Sequence, residues 1–463
     1  MELLVRDDYE LFLKEYPEYK HTEKLDHLRD TDFSRLDDQG HTYLDYTGGG
    51  LYARSQLDEH ITMLSHGVFG NPHSTNPTSL ASEERVEEAR QAVLEYFNAG
   101  NYYCVFTPNA TGALKIIGES FPFGEKSHFL LPFDNHNSVN GIREYARKKG
   151  AEYVYTPVNI EDLRFNPQAL EKQLAAFTSD YHKLFAYPAQ SNVSGVKHDL
   201  AWIKKAQNQG WNVLLDASAY VPTNRLDLVD HQPDFVSMSF YKMFGYPTGL
   251  GALLIHKDSY HLLEKPWFAG GTVTLASVMA DGFILDKAHT RFEDGTINYL
   301  GIPAIKMGLD YLTEAGIDRI NKRVSILTSY LIKELMEIRH GNGHPVVRIF
   351  GPGDEEGRGG TIILNLFDQD GEIVPFQEVE QRANEMNFSI RTGCFCNPGI
   401  DEISNVLNRG ELQDFFDSHK DGSYQEMQES LEKMRGAIRI SLGIVSNFAD
   451  VRRFLRFLSY YQQ

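Results

Sequence analysis

Seven short apolar runs between residues 100 and 256 constrain the fold of this chain more than any other feature of its sequence. Helical patterns separate the runs, which is the alternation expected of consecutive βαβ units. The runs, which we interpret as strands, are Tyr102–Phe106, His128–Leu131, Tyr153–Tyr155, Leu184–Tyr187, Val213–Leu215, Phe235–Met238 and Ala252–Ile255. Their spacing predicts an α/β fold in which helices cover a seven-stranded, mostly parallel sheet.

The pattern changes after residue 300, where long helical patterns, the strand-like run Thr361–Leu366 and a final apolar stripe follow one another. The stripe consists of Val451, Phe454, Leu455 and Leu458, which recur at helical spacing. This part of the chain is typical of a second, smaller α+β domain. We therefore expect a large domain at residues 46–305, a small domain at residues 306–463, and an N-terminal segment, residues 1–45, that joins the small domain.

Charge and composition narrow the classes of partner. The 463 residues include 45 Lys and Arg and 64 Asp and Glu, which gives a formal net charge of −19. That balance disfavours nonspecific contacts with phosphate backbones or anionic membranes, so we expect neither nucleic acid nor a membrane as a partner. Residues 1–8 lack the order of a secretory signal, and no apolar run approaches the roughly 18 residues of a membrane span. A cytoplasmic protein is the simplest interpretation.

One strand leads into a lysine whose surroundings favour covalent chemistry. The stretch Ser237–Gly245 reads as the end of a strand that presents Lys242 between the Ser239 hydroxyl and a glycine turn. Ligands collect beyond the carboxyl ends of strands in open α/β sheets. A lysine there forms Schiff bases when burial or a nearby cation lowers its pKa and frees the amine. The alternative is a lysine that closes a strand at the surface, and this segment alone does not separate the two.

Polar residues follow four other strands and would converge with a lysine at the same edge of a parallel sheet. Asp216 places a carboxylate at a strand end, where it needs a cationic partner such as a protonated pyridine nitrogen, unless it caps the next helix. The segment Thr107–Gly112 joins a strand to a helix start, whose free amides suit a phosphate. His136 and Asn192 follow two further strands, although a solvated loop histidine and a turn asparagine are the commoner cases. No GxGxxG follows a strand and no GxxxxGK(S/T) occurs, so dinucleotide and P-loop sites lose their usual support.

This set of residues, in this order, resembles class V aminotransferase-fold enzymes, which carry pyridoxal phosphate (PLP). The resemblance rests on Lys242 after Ser239, Asp216 upstream, the Asn109–Thr111 turn, His136, and Asn192 three residues before Gly195. The segments Ser239–Gly249 and Arg391–Gly399 are most similar to the cysteine desulfurase domain of molybdenum cofactor sulfurases, and the similarity extends through nearly the whole chain. The resemblance implies a PLP-dependent transferase of fold type I, with PLP as the cofactor of the large domain.

The resemblance also implies roles for individual residues. Lys242 would bind the cofactor covalently and later move the substrate Cα proton, and Asp216 would keep the pyridine nitrogen protonated. His136 would stack on the ring and exchange protons with the substrate, and Asn192 would contact the ring hydroxyl and the substrate. The phosphate would be held by Ala110, Thr111 and Ser239.

Two further matches concern the substrate and a partner subunit. Arg439 aligns with the arginine that grips the substrate α-carboxylate, a task suited to a bidentate guanidinium, although an arginine in a salt bridge is the ordinary alternative. Thr272, in a Gly-Gly-Thr turn, matches a residue that reaches the second subunit's phosphate in related dimers, so the resemblance implies a homodimer.

Two residues depart from many bacterial cysteine desulfurases and agree with the cofactor-sulfurase branch. Tyr241 replaces a histidine before the lysine, and Ala219 replaces a histidine or glutamine after the aspartate.

Cys396 matches the persulfide-forming cysteine of this family and lies in a segment rich in glycine, asparagine and proline, which predicts a loop of the small domain. Arg391 is close in sequence, and positive charge lowers the pKa of a thiol. Cys394 would be a bystander, a resolving thiol or a second persulfide carrier. With Cys104 the chain has three cysteines, too few for a disulfide framework or for the second cysteine pair of a zinc site, so we expect reduced thiols and no metal.

The reaction implied by the resemblance moves sulfur from L-cysteine to Cys396, releases alanine and passes the persulfide sulfur to an acceptor. The acceptor stays open, because we expect no counterpart of the further carboxy-terminal domain of the eukaryotic relatives in these 463 residues. Three alternatives remain. They are another class V PLP enzyme without sulfur transfer, such as an aminotransferase, epimerase or lyase; a selenocysteine lyase; and a binding or scaffolding protein that keeps the fold without chemistry.

Overall fold

The computed structural model describes residues 2–177, 181–354, 356–419, 421–431 and 436–462, which form fifteen strands and eighteen α-helices. The strands are β1 (Thr42–Tyr43), β2 (Tyr102–Thr107), β3 (His128–Pro132), β4 (Glu152–Thr156), β5 (Lys183–Pro188), β6 (Asn212–Asp216), β7 (Phe235–Ser239), β8 (Gly251–His256), β9 (Val273–Ser277), β10 (Gly282–Leu285), β11 (Val347–Phe350), β12 (Thr361–Leu366), β13 (Phe388–Ser389), β14 (Arg391–Gly393) and β15 (Ala437–Ser441). The α-helices are α1 (Glu2–Glu15), α2 (Lys24–Asp32), α3 (Arg35–Asp38), α4 (Arg54–His66), α5 (Pro77–Tyr96), α6 (Ala110–Ser120), α7 (Asn137–Asn140), α8 (Ile142–Lys148), α9 (Pro167–Ala176), α10 (Ala201–Gln207), α11 (Phe240–Phe244), α12 (Pro303–Ala315), α13 (Ile317–Glu337), α14 (Phe376–Glu385), α15 (Pro398–Ser404), α16 (Arg409–Ser418), α17 (Tyr424–Leu431) and α18 (Phe448–Leu458). Four 3₁₀ helices cover Pro17–Thr22, Lys257–Leu262, Ala288–Phe292 and Ser459–Gln462. In these ranges no helix has both the length and the apolar composition needed to cross a membrane.

The seven predicted strands form one sheet, in the order β2-β8-β7-β6-β5-β3-β4. Only β8 runs antiparallel to its neighbours, so the sheet is mostly parallel, as the sequence predicts. Each strand is one or two residues longer than its predicted run. The α/β fold class is confirmed.

Both faces of this sheet are buried, and the period of two residues along a strand explains how. On β6, Val213 and Leu215 belong to one apolar core, whereas Leu214 belongs to another on the opposite face. The second core also contains Leu114 and Ile117 of α6, while the first contains residues of α5, α9, α10 and α12. Helices on both faces leave only the edges of the sheet for ligands.

A second sheet is antiparallel and has the order β11-β12-β15-β14. Helix α13 packs against α18 and against β11 of this sheet. The N-terminal residues join this part of the chain through ion pairs. Arg29 Nη1 lies 2.6 Å from Asp450 Oδ2 in a buried pair, and the buried Arg323 Nη2 lies 2.6 Å from Oδ2 of the half-buried Asp26. The division of the chain into a large domain, a small domain and an N-terminal segment stays a prediction.

The register of the large sheet brings several strand ends to one edge. Gly251, the first residue of β8, pairs with Thr107 on one side and with Ser239 on the other, which are the last residues of β2 and β7. Pro188, the last residue of β5, pairs with Asp216, the last residue of β6. The polar residues that follow these strands are therefore neighbours in space, although they are far apart in sequence.

Candidate active site

A cavity of about 160 Å³ lies at this edge of the large sheet. Its walls consist of Asn109, Ala110, Thr111, Leu114, His136, Ser138, Pro188, Gln190, Asn192, Asp216, Ser218, Ala219, Ser239, Tyr241 and Lys242. Every predicted cofactor-binding residue except Thr272 is among them. A larger groove of about 1110 Å³ lies along α5 and α12, and its described lining contains none of the predicted site residues. The smaller cavity is therefore the candidate site.

Lys242 lies in a single helical turn and not at the end of a strand. Strand β7 ends at Ser239, and α11 then carries Lys242 until Gly245, whose φ of 75° ends the turn. A Cβ atom on Gly50 would lie 2.9 Å from the backbone oxygen of Lys242, so a glycine there lets residues 48–52 pass directly against the turn. The backbone around Lys242 is thus fixed from two directions.

The electrostatic surroundings of Lys242 favour a neutral amine. Burial has the largest effect and lowers the pKa of Lys242, and the guanidinium groups of Arg439 and Arg391 lower it further. The carboxylate of Asp216 and the thiolate of Cys396 act in the opposite direction without reversing the shift. Within the described residues, no hydrogen bond uses the Nζ atom. An amine that loses its proton this readily is a nucleophile and a base.

Asp216 is buried at the carboxyl end of β6. Its Oδ1 accepts hydrogen bonds from the amide of Ser218, at 3.1 Å, and from the hydroxyl of Ser218, at 2.7 Å. In the described part of the chain no hydrogen bond reaches Oδ2, and no helix lies between β6 and β7 for Asp216 to cap. A buried carboxylate oxygen at a cavity wall suits a cationic group inside the cavity, such as a protonated pyridine nitrogen.

The N-terminus of α6 forms another wall. Asn109 caps the helix, because its Oδ1 accepts a hydrogen bond from the amide of Gly112 at 3.0 Å. The amide of Ala110 donates to Ser239 Oγ at 2.8 Å, and the hydroxyl of Thr111 lies 2.7 Å from Ser138 Oγ. No hydrogen bond among the described residues uses the amide of Thr111. This eleven-residue helix begins with an amide that has no such partner, and the hydroxyls of Thr111, Ser138 and Ser239 lie beside its first turn. Such a helix start fits a phosphate group.

His136 caps the short helix α7 and faces the same cavity. Its Nδ1 accepts a hydrogen bond from the amide of Ser138 at 3.2 Å, which leaves the ring proton on Nε2 when the imidazole is neutral. Burial lowers the pKa of His136, and the nearby Lys242 lowers it further. A neutral ring can stack on a planar ligand, and in this tautomer its Nε2–H can donate a hydrogen bond to that ligand.

The loop that carries Cys396, residues 394–397, contacts the cavity wall. Asn192 Nδ2 donates to the backbone oxygen of Phe395 at 2.8 Å, and Asn192 Oδ1 accepts from Asn397 Nδ2 at 3.1 Å. The amide of Asn137 donates to the backbone oxygen of Cys396 at 2.7 Å. Cys396 is exposed and Cys394 is half-buried. The structure therefore places the Cys396 loop against the wall of the cavity that Lys242 also lines.

Arg439 is buried and paired. Its Nη2 donates to Asp45 Oδ1 at 2.8 Å, and its Nη1 donates to the backbone oxygen of Asn192 at 2.9 Å. Arg391 binds the other oxygen of the same carboxylate, with 2.7 Å between Nη2 and Asp45 Oδ2. Arg439 is thus in a salt bridge, which is the ordinary alternative to a substrate-binding role. Its Nε, however, is buried without a hydrogen-bond partner in the described residues. That unpaired donor leaves capacity for a further acceptor.

Thr272 lies outside the cavity. Its hydroxyl donates to the backbone oxygen of Ala269 and accepts from the amide of Ala269, at 2.9 Å in both cases, so the side chain closes a turn. The role that the resemblance implies for it requires a second subunit and stays a prediction.

Sequence patterns did not identify several polar residues that hold the site together. Asp45 joins Arg391 and Arg439 from 346 and 394 residues away, and Asp134 binds Asn397 from 263 residues away. The only local signal is a polar residue directly after an apolar run, which is too common to be decisive. No group of three or more metal-ligating side chains occurs in the residues that the structure describes.

Two curated proteins are similar to this chain over most of its length. Molybdenum cofactor sulfurase of Arabidopsis thaliana is 36% identical over 97% of this chain, and that of Homo sapiens is 38% identical over 94%. The chain spans 60% of the length of the first relative and 51% of the second.

Solved structures share the fold. A cysteine desulfurase from Thermococcus onnurineus NA1 superimposes with a TM-score of 0.77 at 21% identity, covering 94% of this chain and 97% of that one. The cystine C-S lyase C-DES, in complex with cysteine persulfide, gives a TM-score of 0.70 at 17% identity, covering 91% of this chain and 98% of the other. The family model named Aminotransferase class-V matches residues 42–454, a range that includes the whole cavity, the Cys396 loop and Arg439. This chain belongs to the class V aminotransferase family.

Proposed function

We propose that this chain is a PLP-dependent cysteine desulfurase that releases alanine from L-cysteine and forms a persulfide on Cys396. The observation that carries the proposal is the contact between the Cys396 loop and the cavity that Lys242, Asp216 and His136 line. A cavity suited to PLP alone is expected of many reactions, whereas a cysteine beside it is what sulfur abstraction requires. The names of the sulfurase relatives and of the solved desulfurases support the same reaction.

The walls of the cavity fit PLP. Asp216 Oδ2 offers a partner for a pyridinium nitrogen, the start of α6 offers amide and hydroxyl groups for the phosphate, and Lys242 offers an amine. His136 offers a flat neutral ring for stacking. When bound, PLP would supply an electron sink that stabilises negative charge at the substrate Cα.

The residues of the chain would bind the substrate and the cofactor and would move the substrate's proton. Lys242, whose pKa burial lowers, would take the proton from the substrate Cα and return it. Asn192 would orient the substrate, and the unpaired Nε of Arg439 would help to bind its carboxylate. Ser239, Ala110 and Thr111 would fix the phosphate end of the cofactor.

The transfer of sulfur from L-cysteine to Cys396 needs no external oxidant. The Cys396 thiolate forms a bond to the substrate sulfur as the bond between that sulfur and Cβ breaks, and the electron pair of the broken bond stays with carbon. Protonation of that carbon yields alanine, and the enzyme keeps the persulfide until an acceptor removes its terminal sulfur. The identity of the acceptor stays open.

We further propose a cytoplasmic homodimer. The β9–β10 hairpin, directly after Thr272, exposes apolar side chains, with Val278 fully exposed and Leu275 62% exposed. Clustered apolar exposure of this kind marks an interaction surface. A second copy of the chain on this hairpin would cover it and would give Thr272 the role that the family resemblance implies.

The test uses the purified chain, reconstituted with PLP and supplied with L-cysteine. The wild type should release alanine, and the Cys396→Ala variant should not, because it has no thiol to accept the sulfur. Lys242→Ala should not release alanine either, and borohydride reduction should not attach the cofactor to it. Cys394→Ala is the matched control from the same loop, and we expect it to keep turning over. Alanine release by Cys396→Ala at the wild-type rate would contradict the proposal and favour a class V enzyme without sulfur transfer. A strong preference for selenocysteine would favour a selenocysteine lyase.

A further inference from the structure

Three consecutive residues of the Cys396 loop are each bound to the large-sheet part of the chain. Phe395 and Cys396 accept hydrogen bonds through their backbone oxygens, from Asn192 Nδ2 at 2.8 Å and from the amide of Asn137 at 2.7 Å. The third residue, Asn397, is fully buried and donates through Nδ2 to Asp134 Oδ1 at 2.7 Å. The loop is therefore docked at every residue around the thiol.

The backbone of the loop needs this docking. Phe395 and Cys396 have φ angles of 55° and 56°, in the left-handed region that residues other than glycine rarely adopt. Such a conformation costs of order 1 kcal/mol per residue and persists only where the surroundings hold it. Two adjacent residues in this region, one of them the candidate nucleophile, indicate that the surroundings determine where the thiol lies.

Asp134 is the least exposed part of these surroundings, because none of its surface is accessible to solvent. Its Oδ1 also accepts a hydrogen bond from Ser191 Oγ at 2.9 Å, and its Oδ2 lies 2.9 Å from Nε2 of the buried His198. The His198 ring stacks on Phe165, with 3.7 Å between the ring centroids. A buried carboxylate is costly unless it is fully bonded, and here each of its oxygens has a partner on a different segment. Asp134 is thus held by bonds that do not involve Asn397.

We propose that Asp134 is a positioning residue, which holds Asn397 and thereby places the Cys396 thiol beside the cavity. This inference rests on the proposed function. Asp134 is not among the residues that line the cavity, so it would act on the reaction through the segments that it binds, and Asn397 is the one that belongs to the Cys396 loop. Asp134 and Asn192 both accept from the Asn397 side chain, while Asn192 and Asn137 bind the backbone oxygens of Phe395 and Cys396.

Two aspartates make a matched pair for the test. Asp234 is also buried and also bonded by several side chains, including Ser259 and Asn212, but it lies at the amino end of β7, away from the cavity. Asp134→Ala and Asp234→Ala both remove a buried, bonded carboxylate, but only the first removes a bond to the Cys396 loop. Asp134→Asn keeps one acceptor oxygen for Asn397, so it should disturb the loop less than Asp134→Ala does.

Amide hydrogen exchange of the PLP-loaded protein provides the readout that does not depend on turnover. We expect exchange in the peptide that covers residues 391–400 to become at least about tenfold faster in Asp134→Ala, less in Asp134→Asn, and unchanged in Asp234→Ala. Should Asp134→Ala not fold, Asn397→Asp removes the donor of the same bond, keeps the oxygen that accepts from the amide of Ile400, and should give the same local acceleration. Unchanged exchange in this peptide, or equal acceleration in Asp234→Ala, would overturn the proposal.

Kinetics with L-cysteine then separate positioning from binding. In Asp134→Ala we expect kcat to fall by about 10- to 100-fold, because small displacements of a reacting group are this costly, while KM changes by less than about threefold. A rise in KM with an unchanged kcat would overturn the positioning role. If the wild type makes no alanine but the exchange results stand, the proposed function fails and the docking of the loop by Asp134 does not.

Discussion

The three cysteines differ in exposure, since Cys104 is buried, Cys394 is half-buried and Cys396 is exposed. Burial raises the pKa of Cys104 to about 12, and the neighbouring Arg90 only partly offsets that effect. Cys396 is exposed and stands beside the cavity. Because the thiolate and not the thiol is the nucleophile, Cys104 is inert, whereas the exposed Cys396 is accessible for chemistry.

Thiol labelling at pH 8 checks this difference. A thiol with a pKa of about 12 stays protonated below that pH, so at pH 8 only about one molecule of Cys104 in 10,000 is a thiolate. We expect iodoacetamide to modify Cys396 and to leave Cys104 unmodified in the native protein, as read by mass spectrometry of the peptides. Labelling in urea is the control, in which all cysteines should react. Equal labelling of Cys104 and Cys396 in the native state would show that burial does not suppress the Cys104 thiolate.

Among the secondary-structure elements, those with strong local patterns could be predicted from the sequence. Asn166 and Pro167 indicate a helix start, and α9 begins there with Asn166 accepting from the amide of Ala169. The turn α11 could not be predicted, because the aromatic residues Phe240 and Tyr241 favour a strand and only Gly245 signals its end. The position of Lys242 and Asp216 at one edge of the sheet was predictable, because Asp216 ends a buried strand and Lys242 comes shortly after another. Their long-range partners have no local pattern.

Docking of the Cys396 loop also depends on a glycine at the start of α15. A Cβ atom on Gly399 would lie 2.1 Å from the backbone oxygen of Phe133, so the backbone of one segment must move if alanine replaces it. We expect Gly399→Ala to lower the free energy of unfolding by about 1–3 kcal/mol and to slow alanine release by about tenfold or more. Gly341→Ala is the matched control, since a Cβ there meets nothing within 4 Å. A Gly399→Ala variant with the wild-type rate would show that close contact with Phe133 is not needed.

At the scale of the whole molecule, the N-terminal segment is held to the final helix region by charges that are buried. Arg29 and Asp450 have side chains 3% and 2% exposed, and Arg29 also donates to the backbone oxygen of Val445 at 2.7 Å. The two residues are 421 positions apart, so no sequence pattern could pair them. Removing one partner would leave the other charge buried and unpaired.

Replacement of Arg29 by methionine tests the strength of this link. We expect Arg29→Met to destabilise the protein by about 3–5 kcal/mol, measured by urea unfolding, because the Asp450 charge loses its buried partner. The exposed pair Arg225–Asp318, with side chains 61% and 74% exposed, is the control, and Arg225→Met should cost less than about 1 kcal/mol. Adding Asp450→Leu to Arg29→Met should recover part of the loss. Equal effects of the two arginine variants would contradict the account of a buried link.

The central claim is that Cys396 accepts sulfur from L-cysteine, and one experiment tests it most directly. The PLP-loaded chain is mixed with L-cysteine without an acceptor, released alanine is measured, and the peptide that contains Cys394 and Cys396 is analysed by mass spectrometry. The account predicts alanine and protein persulfide in equal amounts, with the additional sulfur on Cys396. Absence of alanine, or alanine released with no additional sulfur on Cys396, would contradict it.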